Sequence, residues 1–179
     1  MKNEKFIYLF GLVSLFSIFF TKPVFVFAKS SYVLPYPTFM PGSFLYKPHL
    51  FLEEILRFWY FGNLGQFKYT LRESDKYLVE AKTLFEYQQY LLGYKALKRS
   101  DSYFVKVHFY LINAQKEGKD ITSQQAILIG AGLKHKEVLL KLKKGVPETF
   151  FWQPEKSQPT KLDLHDAIFR SISLREKDI

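Results

Sequence analysis

Residues 64–114 read LGQFKYTLRESDKYLVEAKTLFEYQQYLLGYKALKRSDSYFVKVHFYLINA, and the spacing of their apolar residues decides the fold. Leu64, Phe67, Leu71, Ser74, Leu78, Ala81, Phe85, Gln88 and Leu92 fall alternately three and four apart. After a break near Gly93 the rhythm resumes with Leu97, Ser100, Phe104, Val107, Leu111 and Ala114. Positions three and four apart share one side of a right-handed helix, so each run predicts a helix with a continuous apolar stripe. Two such helices joined by a short link bury both stripes by folding back on each other. The expectation is an all-α chain, a helical bundle built on a long antiparallel hairpin over 64–118, with an N-terminal signal helix ahead of it. Continuation through 91–97 as one long bent helix is the alternative. Tyr77, Leu84 and Leu91 widen the stripe at seven-residue intervals, and Gly118 suits the end of the second helix.

Ser74, Gln88 and Ser100 stand on the seam where apolar residues are expected. Two readings fit them: hydrogen bonding from helix to helix, or a polar-lined slot for a small ligand inside the bundle. Lys76 with Glu80 and Lys82 with Glu86 have the spacing of ion pairs on a solvated helix face.

The 179 residues hold one domain with extensions, and an aromatic share of 18% supplies the burial that a compact helical core needs. With no cysteine, the fold rests on packing, and thiolate catalysis and Cys-ligated zinc are excluded. The formal net charge is +9. Lys2, Lys5 and Lys22 against Glu4 give residues 1–28 a share of +2, which leaves +7 on the body. Such a balance suits an anionic partner.

Met1 to Lys5 is a short basic stretch, and Phe6 to Phe20 is uncharged and mostly apolar. Thr21-Lys22-Pro23 interrupts the run, and Val26 and Ala28 then sit three and one places before a cut ahead of Lys29. This order of features reads as a secretory signal peptide over 1–28. The competing readings are an uncleaved anchor and a buried helix; an anchor would leave the basic end inside and the body outside. The body is therefore expected beyond the cytoplasmic membrane, where nucleic acid is not a partner.

Residues 29–47 form an extended lead-in, set by Pro35, Pro37 and Pro41, before the helical bundle domain at 48–179. Pro48 suits a first helical turn, and Leu50, Phe51, Leu52, Ile55, Leu56, Phe58 and Trp59 make a short helix that is apolar nearly all round. It is too short to cross a bilayer and is expected to lie across the hairpin, with Glu53 pairing to Arg57. The strings Leu34-Pro35, Met40-Pro41-Gly42-Ser43-Phe44-Leu45-Tyr46-Lys47 and Ser74-Asp75-Lys76-Tyr77-Leu78-Val79-Glu80-Ala81 resemble a bacterial domain of exported and membrane-anchored proteins. That domain opens on Leu-Pro-Gly-x-x-Leu-Tyr and carries Leu-x-Glu-Ala on a long helix. The resemblance spans about residues 34–118, departs at Met40 and at Lys76-Tyr77, and implies an extracytoplasmic helical domain. The family has no assigned activity, so the resemblance assigns no functional residue.

Thr122 and Gln125 have the spacing of a capping box for a helix over 122–144, with Leu128, Ala131, His135, Val138 and Leu142 on its apolar face. Gly130 and Gly132 suit close helix approach. Lys134, Lys136, Lys141, Lys143 and Lys144 form the most basic stretch, which is either a solvated helix end or a docking strip for an anionic partner. Phe150-Phe151-Trp152 should pack back from a proline-rich linker, Thr160 and Asp163 should cap a last helix over 161–174, and Arg175 onward should fray.

Few residues stand in a pattern that carries chemistry. His49, His108, His135 and His165 lack metal-ligand spacing, and a pairing of His108 with His135 across the bundle would make a weak metal site. His165 with Asp163 and Asp166 is the nearest approach to an acid–base cluster. No cofactor is expected. The expected function is that of an exported, non-catalytic helical domain with a binding or structural role at the bacterial cell envelope. Its partner would be an anionic polymer, a membrane surface or another envelope protein. The alternative is an extracytoplasmic sensory or carrier bundle that holds a small ligand between its helices.

Overall fold

Helix α2 (Gly62–Glu86) and helix α3 (Tyr90–Lys116) run antiparallel. Asn63 bonds to Glu117, Ser74 to Ser100, and Phe85 sits against Gly93, so the partner number falls as the first number rises. From Phe67 to Phe85 and from Leu97 to Ala114, every seam residue quoted above is buried. The seam is interrupted at Tyr87–Gln89 rather than at Gly93. Gln88 takes φ 59° there, its side chain is exposed, and Leu92 is exposed one helical turn later. Gly93 lies inside α3, where a Cβ would fall 2.9 Å from Cδ1 of the Phe85 ring, so its place is set by close approach.

The computed structural model describes residues 30–36, 39–156 and 158–177; the expected signal helix over 1–28 lies outside the described residues. The chain is mostly helical. Around α2 and α3 stand α1 (Tyr46–Leu56), a 3-10 turn (Arg57–Trp59), α4 (Thr122–Gly145) and α5 (Leu164–Glu176). The all-α expectation is corrected by one small sheet, β1 (Thr149–Trp152) antiparallel to β2 (Thr160–Asp163), with Phe150 opposite Leu162. Threonine and aromatic residues suit a pleated pair, and the stretch between β1 and β2 holds Pro154 and Pro159, which cannot continue a ladder. The last helix accordingly starts at Leu164, after β2, and Asp163 gives its backbone no side-chain cap. Phe150 and Leu162 pack on the core, whereas Phe151 and Trp152 face outward.

The core has two parts. Leu78, Leu84, Phe85, Leu97, Leu139 and Ile168 belong to one, and Phe67, Leu71, Phe104, Val107, Leu111 and Leu128 to the other. The lead-in is an extended strap that runs past both as its numbering falls. Leu34 packs on the first part, Tyr32 on the second, and Ser30 Oγ donates to the Gly130 carbonyl over 2.8 Å. Gly130 thus faces the strap, with the Tyr32 Cβ 3.8 Å from where its own Cβ would lie. The expected capping box at Thr122 is replaced by Asp120, whose carboxylate accepts both the Thr122 N–H (2.9 Å) and the Thr122 hydroxyl (2.7 Å).

Helix α1 has the reverse of the expected polarity. Its one buried residue is Glu53, which meets Lys76 of α2, while Phe51, Leu52, Ile55 and Leu56 are exposed. The pairs assumed from spacing also rearrange: Lys76 goes to Glu53 and Glu73, Arg57 goes to Glu54, and Glu80 accepts from the Tyr46 hydroxyl at 3.0 Å. Lys82 with Glu86 forms as spaced, at 2.9 Å.

Candidate functional site

A groove of about 720 Å³ opens between α2, α4 and the strap. Its position follows from local sequence. Val79 and Phe85 of α2 and Val138 and Leu142 of α4 lie toward the ends of the two helices, and the strap supplies Leu34 and Pro35 beside them. Val146, just past α4, adds a further apolar contact. Around this floor stand Lys82, Glu86, Lys134, Glu137 and Lys141. Lys82 pairs with Glu86, and Lys134 pairs with Glu137 at 3.0 Å. Lys141 is exposed and has no ion-pair partner among the described residues. The volume falls within the range of about 300–1,000 Å³ common to small-molecule sites, and the lining has their usual make-up of an apolar wall with a few polar groups at its edge.

The five lysines of the expected strip do not share one face. Residues two apart on a helix point to roughly opposite sides. Lys134 and Lys141 reach the groove, whereas Lys136 reaches Glu176 at 2.7 Å and Lys143 lies 5.9 Å above the Phe169 ring, both on the α5 side. Lys144 is exposed between the two rows. What the structure brings together is a pair of lysines on a groove.

Ser74 and Ser100 line no slot. Each hydroxyl donates to the other residue's carbonyl, at 3.0 and 2.8 Å, and both residues are fully buried. The histidines are dispersed. His49 stands 2.9 Å from Glu53, His108 is exposed, and His165 Nε2 meets the Val146 carbonyl at 3.0 Å. Asp163 and Asp166 turn to Lys161 and Arg170, so no acid–base cluster assembles around His165. Among the described residues no group of three His, Cys, Asp or Glu side chains could hold a metal.

His135 belongs to a buried polar chain that joins the strap to four helices. The Tyr32 hydroxyl donates to Asp75 at 2.6 Å, His135 Nε2 meets the other Asp75 oxygen at 2.6 Å, and Arg175 Nε donates to His135 Nδ1 at 2.9 Å. Arg175 goes on to Asp101 at 2.6 Å and to the Ser100 hydroxyl at 2.9 Å. An Nδ1 that accepts leaves the proton on Nε2, so the imidazole is neutral and donates to Asp75. Burial holds the His135 pKa below its ordinary value, with Arg175 adding to the depression and Asp75 and Asp101 opposing it. Burial, then the Asp75 charge, holds the Tyr32 hydroxyl protonated far above the usual phenol range. Every polar atom in this chain has a partner within the protein, and the chain lies inside the fold; its chemistry is structural.

Sequence reasoning placed Arg175 in a frayed tail, and it is among the most buried side chains. One signal was available. Leu164, Ile168 and Ile172 step along α5 at helical spacing, and Arg175 is the next position on that stripe. Nothing local marked Asp75, whose partners come from 43 and 60 residues away.

No protein-family model matches this chain, and neither a curated protein nor a solved structure matches it.

Proposed function

We propose that this chain is an exported, non-catalytic domain that acts by binding at the cell envelope, and that the groove between α2 and α4 takes a single-chain anionic amphiphile. The carrying observation is the pairing of an apolar floor with a cationic edge. An acyl chain would lie along Leu34, Val79, Phe85, Val138 and Leu142, and its carboxylate or phosphate head would meet Lys141, the groove lysine that has no ion pair among the described residues. The net charge of +9 supports an anionic head, and the leader-like residues 1–28 and the resemblance of 34–118 to exported domains support the location. This reading unites the two expectations from sequence, since an envelope-binding domain here holds its ligand between helices, at a place other than Ser74 and Ser100.

The test is titration with a fluorescent long-chain carboxylate. Val138→Trp fills the floor and should abolish binding while leaving the urea midpoint nearly unchanged, because Val138 is only partly buried. Lys141→Glu should weaken binding about fivefold, the scale of one exposed ion pair, and raised salt should do the same. Undiminished binding in Val138→Trp would remove the groove from consideration.

A further inference from the structure

Residues 44–61 read FLYKPHLFLEEILRFWYF, and a segment this apolar would normally turn its face to the core. It does the opposite. Phe44 is 93% exposed, Phe51 68%, Phe58 74%, Trp59 73% and Phe61 83%, with Leu52 beside them at 57%. Singly exposed apolar residues are ordinary; a contiguous ridge of them marks an interaction surface. The inward side of α1 is polar and specifically held. Glu53 meets Lys76, which also pairs with Glu73 at 2.7 Å, and the Tyr46 hydroxyl donates to Glu80. These contacts fix the ridge outward, so its exposure is a built feature of the fold.

We propose that this ridge seats in the surface of a lipid bilayer, with α1 lying in the plane of the interface. Three observations favour lipid as the occupant. The strap enters the body from a definite side: from Leu34 to Tyr32 to Ser30 it runs from the Leu78–Phe85 part of the core toward the Phe67–Leu71 part. The described residues thus begin, at Ser30, toward the Phe67–Leu71 end of the bundle, the end at which Phe58, Trp59 and Phe61 lead into α2, and the uncharged apolar run Phe6–Phe20 precedes them in the sequence. Second, phenylalanine and tryptophan flanked by Lys47 and Arg57 are the residues that partition at the headgroup boundary. Third, α1 has 11 residues, about half of what spans a bilayer, and its one buried polar residue, Glu53, is already committed to the protein. The proposal is independent of the groove, which lies between other helices.

The experiment uses the full chain carrying Trp152→Phe, so that Trp59 is the only fluorophore of its kind. Vesicles contain phosphatidylcholine and phosphatidylglycerol in equal parts, in ordinary form and with acyl chains brominated near the carbonyl end. The expected result has two parts. Trp59 is open to iodide without lipid, and with vesicles its emission shifts to the blue, iodide quenching is lost and brominated lipid quenches it. Replacing Phe51 and Phe58 by glutamate should abolish the bromine quenching with an unchanged circular dichroism spectrum, even if residues 1–28 keep the protein on the vesicle. Vesicle-bound protein whose Trp59 stays open to iodide and unquenched by bromine would overturn the proposal. So would Trp59 already closed to iodide without lipid, which would assign the ridge to a second copy or to residues 1–28.

Discussion

His135 shows how much one buried ring can be made to carry. Asp75 accepts from its Nε2 and Arg175 donates to its Nδ1, so protonation would set a new N–H against the guanidinium. The folded protein therefore binds that proton less readily than the unfolded chain, whose histidine titrates near 6.5. The sign follows from linkage: where the unfolded state holds more protons, stability rises with pH. The stabilisation from His135 is complete above about 6.5 and is lost as pH falls from there through the depressed folded value, at about 1.4 kcal/mol per pH unit at the steepest. Tyr32 works at the other end. Its raised phenol contributes below about 10 and is lost as pH rises beyond the ordinary value. Urea midpoints measured across this range should be level between about 6.5 and 10 and fall on both sides, with the acid fall much reduced in His135→Gln. An acid limb as steep in His135→Gln as in the natural chain would place the proton elsewhere.

At the scale of elements, the heptad rhythm located α2 and α3 correctly and misplaced the turn between them. The three-four spacing runs on through Gln88 and Leu92, so periodicity alone sees no boundary. In the structure the Leu84 and Phe85 carbonyls accept the Gln89 and Gln88 N–H groups, and Gln88 reverses the chain at positive φ. Gly93, the residue that looked like a breaker, is a contact point. Gly93→Ala would gain about 1 kcal/mol of helix propensity and would force its methyl group against Cδ1 of Phe85, 2.9 Å away. Overpacking typically costs about 1–3 kcal/mol, and the Phe85 ring is itself buried, so a net loss and a lowered Tm are expected. A rise in Tm would mean that the ring can give way. The β1–β2 pair was hidden for a related reason: four-residue runs are too short to show a period, and the prolines between them read as linker.

Across the whole molecule, α2 is the central element, buried on several sides between Phe67 and Ala81. Its charged residues there are matched within the helix or from other elements: Glu73 by Lys76 of the same helix, which also takes Glu53 of α1, Asp75 by the strap and α4, and Glu80 by Tyr46. Arg175 is the tie that closes this arrangement, reaching α3 through Asp101 and Ser100 and α4 through His135. Arg175→Met keeps most of the packing volume and strips four groups of a donor: His135, Asp101, Ser100 and the Ser171 carbonyl. It should cost about 3–5 kcal/mol in a urea titration, the scale of breaking a buried ion pair by removing one partner. A loss below about 1 kcal/mol would show that the bundle closes without it. The sequence by itself determined the helical class, the two long apolar stripes, the place of α4 and the apolar stripe of α5, though not where α5 starts and ends, because those stripes rest on residues three and four apart that sense one another within a helix. Only the tertiary structure decided that α1 turns its apolar side out, and that Tyr32, Asp75, His135 and Arg175 meet. Those outcomes depend on partners tens of residues away, whose desolvated charges must be satisfied in space and leave no period along the chain.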